Sequence, residues 1–410
     1  MSPVRASSLL NGLRVLELGH FVAAPFATRL LADLGADVIK IEPPGGDPVR
    51  EWGEQVDGHS LWWSMHGRNK RSVALDLKTK QAQTIVLKLA GKCDALVENF
   101  RPGHLAKLGL SDEALRDVNP SLIIAHISGY GQDGPYRNRA AFGVIGEAIG
   151  GLRYLSDKAE SDGSPPVRVG ISIGDSIAGL YAGFGIASAL WCRDRNGGDG
   201  RGRTLDVALT ESILSLMEGM LPEFGKLGKI KRPTGSAIAT AAPSNAYPTA
   251  DGEWVLIAAN SERLFAKLAG VIGHPEWTET PRFRGNRARV DNAAELDDMI
   301  GQWTRRLHTT ELTRVLNEAD IPNSKAYTAE DCAHDAQYRF RNAVCEIEDP
   351  RLGLVLQAGV FPHVPESPGG VRWAGPAIGE HTEEVLRELL GVSSQELELE
   401  CGAGLVDPTD

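Results

Sequence analysis

The chain has 410 residues, 42% of them hydrophobic and only 6% aromatic, with a formal net charge of −11. That length allows two domains and a large core, and the acidity argues against general binding to nucleic acid or a membrane surface. The five cysteines (Cys93, Cys192, Cys332, Cys345 and Cys401) show no C-x-x-C spacing, which points to reduced thiols in a cytosolic setting rather than a disulfide framework or zinc knuckle. The N-terminal stretch has no apolar signal core, and no run reads as long enough to span a bilayer.

In chain order, Leu13–Leu18 reads as a buried strand and Ala24–Leu34 as a helix, with Pro25 in its first turn and Gly35 at its end. Ala36–Glu42 closes a βαβ unit. The alternation continues with strand Ser72–Leu77, helix Thr79–Ala90, strand Ala95–Glu98, helix Ser111–Val118 and strand Leu122–Ser128. Repetition of this kind predicts an α/β fold with a Rossmann-like, open and mainly parallel sheet.

Pro165–Trp191 is the most distinctive stretch. Val167–Ile171 reads as an incoming strand, Gly174-Asp175-Ser176 as a turn, and Ile177–Trp191 as a core helix of small and apolar residues. Taken alone, Asp175 reads more readily as a helix N-cap than as a catalyst; the other reading is a carboxylate held ionised by the positive helix end and aimed into a cleft.

Beyond it, Arg193–Arg203 reads as a surface turn, Thr204–Ala208 as a strand and Glu211–Gly219 as a helix, followed by a solvated linker at Lys226–Arg232. From Gly235 the texture changes. A strand at Trp254–Ala258 and helices at Glu262–Ile272, Ala294–Leu307 and Glu311–Ala319 predict a separate, smaller domain. The tail carries a strand at Leu354–Phe361 and a helix at Glu380–Leu390.

Several chemical signatures are missing: G-x-G-x-x-G after the first strand, a Walker loop, H-E-x-x-H, and metal-ligand spacing among the histidines. Gly170-Ile171-Ser172-Ile173-Gly174 matches the nucleophile-elbow pattern, but Ser172 precedes the expected turn, so a serine thioesterase is a weak alternative. Two basic clusters stand out. One is Arg68, Lys70, Arg71, Lys78 and Lys80; the other is Asn99-Phe100-Arg101 with His104 and Lys107, at a strand end where ligands bind in open α/β sheets. Each reads either as a solvated face or as part of a site for an anionic ligand. His20-Phe21-Val22-Ala23 opens the first helix, where backbone N–H groups meet anions; His20 alone reads as a packing residue.

The segments LNGLRVLELGHFVAAPFATRLLADLGADVIKIEPPGGDPVR, GRNKRSVALDLK, ALVENFRPG and SGYGQDGP, the Gly174-Asp175 pair and AIGEHTEEVLRELL together resemble the class III CoA-transferase family, which is related to α-methylacyl-CoA racemase. The resemblance spans nearly the whole chain. It implies a large domain built from residues 1–210 and 326–410, a linker helix over 211–230, a small central α/β domain over 231–325, and an interlocked homodimer. It implies CoA transfer from an acyl-CoA to a carboxylic acid, with coenzyme A as substrate, no tightly bound cofactor, no metal and no nucleic-acid or membrane partner.

Asp175 falls on the family's catalytic aspartate. His20, Val22, Ala23, Leu75, Lys78, Asn99, Phe100, Arg101 and Lys107 fall at CoA-contacting positions, and Gly235-Ser236-Ala237 where some members carry a loop over the site. The formyl-CoA transferase Tyr-Glu pair aligns with Phe142-Gly143, so that acid is missing; the nearby Glu147 reads equally as its replacement or as a surface residue. The racemases place a catalytic His near Phe142, which cannot shuttle a proton. Thr234-Gly235-Ser236 with Ala242–Tyr247 resembles the branch acting on small dicarboxylic acids; Arg232 reads more readily as a solvated linker charge than as a cation for the distal carboxylate.

Overall fold

A computed structural model describes residues 8–159 and 163–392. The chain packs as two compact units, one from the residues up to Leu152, Val169–Leu221 and Ala336 onward, the other from Arg153–Arg168 and Pro222–Asp335. Arg153–Arg168 thus packs with the second unit, although the sequence places it in the first.

In the first unit, β1 (Arg14–Glu17), α1 (Ala23–Asp33), β2 (Asp37–Glu42), β3 (Lys70–Ala74), α2 (Lys80–Ala90), β4 (Ala95–Glu98), α3 (Asp112–Val118) and β5 (Ile123–Ser128) follow the expected alternation. Then come α4 (Gly143–Ile149), α5 (Ile173–Asp194), β6 (Thr204–Ala208) and α6 (Leu209–Leu214). The six strands are all parallel in the order β3-β2-β1-β4-β5-β6, the doubly wound order. One sheet face packs on α1 and α5. The other packs on α2, α3 and a C-terminal helix, α10 (Thr382–Leu390).

Thr79 and Ser111 cap α2 and α3 from just outside, each accepting a backbone N–H of the first turn, which is why the expected helices run one residue long.

Three expectations fail locally. Val167–Ile171 is not a strand: Val167 and Ile171 are exposed and Pro165-Pro166 offers no N–H for a ladder. The turn expected at Gly174-Asp175-Ser176 is already helical, because α5 begins at Ile173 and runs for 22 residues. That makes α5 long and apolar enough, by length and composition, to cross a membrane, unlike the shorter helix expected; its small residues pack it against α1 and the sheet instead. Finally, β3 starts at Lys70 rather than Ser72 because Lys70 and Arg71 are strand residues with internal partners.

The second unit holds an antiparallel sheet of β7 (Ser244–Pro248), β8 (Trp254–Ala258) and β9 (Asn323–Lys325), with β8 central. Helices α7 (Glu262–Ile272), α8 (Ala293–Thr304) and α9 (Thr309–Glu318) cover it, burying Tyr247, Phe265, Trp277 and Phe283.

Candidate active site

The strand order reverses between β1 and β4, and in such sheets the crevice outside the strands' carboxyl ends at that point receives ligands. Here β1 runs into Leu18–Ala23 and β4 into Asn99–Arg101. The Asn99 side chain joins the two diverging loops, accepting the His20 N–H and donating to the His20 carbonyl, both at 2.8 Å. Gly19 must be glycine for this approach, since a Cβ there would lie 2.2 Å from Ala24 Cβ and 3.0 Å from Asn99 Oδ1.

The crevice is lined by His20, Phe21 and Ala23, by Asn99–Pro102, by Ser128 and Gly129 at the end of β5, by Arg137 and Arg139–Phe142, and by Asp175. Close helix packing brings Asp175 to it. A Cβ on Gly179 would meet the Ala23 carbonyl at 2.6 Å, and one on Gly174 the Gly143 carbonyl at 2.5 Å. The Gly and Ala residues of α5 therefore let its first turns sit against the starts of α1 and α4. Neither α1 (N-cap Val22) nor α5 (N-cap Ser172) has a side-chain cap bond. The N-terminus of α1 therefore keeps N–H groups for an anion. Asp175 is the third residue of α5, favourably placed toward the helix dipole; it is not the cap.

Gly143 is equally specific. A Cβ there would lie 2.0 Å from Asp175 Oδ2, so the carboxylate occupies the space that any side chain at 143 would take. Phe142 is 65% exposed at the rim and faces Phe21 edge-on at 6.1 Å. Burial holds the His20 pKa below its ordinary value, so this imidazole is neutral at pH 7, and its ring meets Phe100 edge-on at 5.1 Å.

The crevice thus gathers Asp175, His20, Ala23, Asn99, Phe100 and Arg101. Val22 is buried beneath it as the α1 N-cap. Leu75 is packed in the hydrophobic core, so its side chain cannot meet a ligand. Lys78 and Lys107 are exposed and outside the lining. Gly235, Ser236 and Ala237 belong to the second unit, where Ser236 donates to Asn245 and the Thr234 hydroxyl to the Ala237 carbonyl. Arg232 lies there too, 3.5 Å from the Tyr154 hydroxyl. Glu147 is buried on α4 and does not line the crevice, and neither does Ser172.

The first basic cluster dissolves. Arg68 pairs with Asp33 at 2.6 Å, Lys70 with Glu17 at 2.8 Å and Arg71 with Asp37 at 2.6 Å, which leaves Lys78 and Lys80 as surface charges. Arg137 and Arg139 were not singled out by the sequence, although their place beyond β5, at another strand end, is the signal that finds them. A larger open depression on the second unit, of about 790 Å³, is lined by Asp251, Glu253, Glu330, Asp331 and Asp335 against Lys325 and His334; its acidity disfavours an anionic ligand.

A doubly wound sheet with an acid, uncapped helix starts and arginines converging on its switch point defines an α/β protein built to handle an anionic ligand. The comparisons make this specific. The family model for CoA-transferase family III matches residues 10–382. The succinyl-CoA–D-citramalate CoA-transferase of Chloroflexus aurantiacus is 44% identical over 399 residues, 97% of this chain and 98% of that protein. The succinyl-CoA–L-malate CoA-transferase alpha subunit of Chloroflexus aurantiacus is 36% identical over 95% of this chain and 90% of its own length. A CAIB/BAIF family protein from Brucella suis superposes with a TM-score of 0.82 at 30% identity, over 93% of this chain and all of that one. The chain belongs to CoA-transferase family III, and it is a CoA-transferase acting on CoA thioesters and carboxylic acids.

Proposed function

We propose that this enzyme moves CoA from succinyl-CoA to a small dicarboxylic acid of the citramalate or malate type, with Asp175 as the nucleophile. The observation that carries the mechanism is the position of the Asp175 carboxylate, in the switch-point crevice beside the starts of two helices. The relatives' names support the choice of substrates.

Asp175 Oδ attacks the thioester carbonyl of the donor; the C–S bond breaks, giving a mixed anhydride and CoA thiolate. The thiolate then attacks the aspartyl carbonyl of that anhydride, releasing the donor carboxylate and leaving an enzyme–CoA thioester. The acceptor carboxylate attacks this thioester, re-forming an anhydride and freeing the thiolate. Attack of the thiolate on the acceptor's own carbonyl yields the new acyl-CoA and regenerates Asp175. Each step replaces one difficult exchange by easier ones, and each tetrahedral oxyanion needs preorganised N–H donors, which the start of α5 around Gly174 offers. A crevice of about 280 Å³ suits the acyl and thiol ends, at the small end of ligand-pocket sizes. The nucleotide then lies toward the Phe100-Arg101 rim, where the guanidinium meets phosphate.

The homodimer belongs to the same reading. The outer face of α5 presents Leu180, Tyr181, Phe184 and Trp191 to solvent, the last two 70% and 72% exposed, at spacings that put them on one stripe. An apolar stripe of this kind on a soluble enzyme marks an interaction surface, here for a second copy.

The test is a screen of acceptor acids with succinyl-CoA as donor. D-citramalate or L-malate is expected to give its CoA ester with release of succinate, and Asp175→Ala to give none. CoA release without an acceptor, dependent on Ser172, would replace this reading by a thioesterase.

A further inference from the structure

Beneath the crevice lies a charge cluster that the exchange chemistry does not use. Glu17, Lys40, Asp47 and Lys70 are all buried. Lys40 Nζ donates to Glu17 at 2.7 Å and to the Gly19 carbonyl at 2.8 Å, and pairs with Asp47 Oδ2 at 2.7 Å. Lys70 Nζ pairs with the other Glu17 oxygen and donates to the Pro25 carbonyl, both at 2.8 Å. Asp47 Oδ1 accepts the N–H of Phe21 at 3.0 Å and of Val49 at 2.9 Å. The cluster therefore grips the crevice loop at its start (Gly19), its apex (Phe21) and its end (Pro25).

The apex needs a grip. Phe21 has φ +62°, a conformation that a bulky residue rarely adopts and that persists only where the surroundings hold it. Stability is a poor explanation for the cluster, since buried ion pairs are often matched or bettered by apolar residues of equal volume. We propose that Asp47 is a positioning residue, which together with Lys40 holds the His20–Ala23 loop in the shape that receives the thioester end of CoA. This rests on the reading of that loop as part of the CoA site. Burial opposes charge on both Asp47 and Lys40, but Asp47, Glu17 and Glu42 together hold Lys40 above its ordinary pKa, and Lys40 with the Val49 and Phe21 N–H groups holds Asp47 below its own; burial brings Lys70 down to about 8 against the pull of Glu17.

Asp47→Ala and Asp47→Asn separate positioning from stability. Both lose the ion pair with Lys40, but asparagine keeps an oxygen for the Phe21 and Val49 N–H groups. In the full-length enzyme, Asp47→Ala is expected to lower kcat/KM for succinyl-CoA at least tenfold and to speed amide hydrogen exchange over residues 19–25 at least tenfold. Asp47→Asn is expected to regain most of that activity while melting as low as the alanine variant. Equal impairment of the two, tracking their melting temperatures, overturns the proposal. So does a fully active Asp47→Ala; in that case a still-protected loop means that Asp47 does not hold it, and a deprotected loop means that the loop is not part of the CoA site. Should Asp47→Ala not fold, Lys40→Gln and Lys40→Met give the same decision. Glutamine keeps a donor for the Gly19 carbonyl and is expected to be several-fold more active than methionine; equal activity overturns the proposal.

Discussion

Replacing Gly143 by alanine sets two physical effects against each other. The added Cβ would stand 2.0 Å from Asp175 Oδ2 and 2.6 Å from its Cγ, where ordinary contact begins at 3.4 Å. The carboxylate must therefore retreat by more than 1 Å or rotate to another position. Misplacing a reacting group by ~1 Å costs on the order of a hundredfold in rate, about 2.7 kcal/mol of barrier. Helix propensity acts the other way. Gly143 is the first residue of α4, and alanine is better than glycine in a helix by up to ~1 kcal/mol. The expected variant is therefore folded, with an unchanged or raised melting temperature, and ~100-fold slower in exchange of labelled CoA between succinate and succinyl-CoA, with KM for the thioester within threefold of wild type. A folded Gly143→Ala enzyme retaining more than a third of wild-type kcat would refute the reasoning. Gly174→Ala gives the contrast: its Cβ would meet the Gly143 carbonyl at 2.5 Å, backbone that cannot rotate away, so its melting temperature is expected to fall as well.

Three further outcomes are expected. Arg101→Ala should raise KM for succinyl-CoA about tenfold with little change in kcat, a loss that shrinks at high salt as phosphate pairing is screened. His126 is held between Asp112 at 3.0 Å and Glu98 at 2.5 Å; burial opposes its charge, but the two acids push its pKa up to about 10. A raised folded pKa means that this contribution is complete below pH ~6.5 and is lost as pH rises toward 10, at up to ~1.4 kcal/mol per pH unit; unfolding titrations should show that decline in wild type and a flatter profile in His126→Gln. Phe184→Glu with Trp191→Glu should convert a dimer to monomers in light scattering, and wild type running as a monomer would remove the reading of the α5 stripe.

What the sequence made legible follows from where each residue finds its partners. Local signals worked: Trp254–Ala258, Ala95–Glu98 and Glu262–Ile272 fall where the pattern places them, because alternation and capping act within a few residues. Lys70 and Arg71 misled because their partners, Glu17 and Asp37, come from other strands of the sheet, far back in the chain. A lysine in the sequence reads as solvated unless its acid is visible. Asp175 reads as a chemical candidate only in the company of the other motifs, since α5 begins at Ile173 and puts it inside the first turn rather than at the cap. The clearance at Gly143 and the positive φ of Phe21 have no pattern in sequence at all. The first is a close approach between segments that only the fold brings together, and the second is a backbone turn that the contact of Phe21 N–H with Asp47 holds.

The central claim, covalent catalysis by Asp175, is tested most directly by intact-protein and peptide mass spectrometry after mixing the enzyme with succinyl-CoA alone. The account predicts a CoA adduct in thioester linkage, mapping to Asp175 and discharged by addition of the acceptor acid; the adduct is absent in Asp175→Ala and retained in Ser172→Ala. Exchange at the wild-type rate in Asp175→Ala, or an adduct mapping to Ser172, would contradict it.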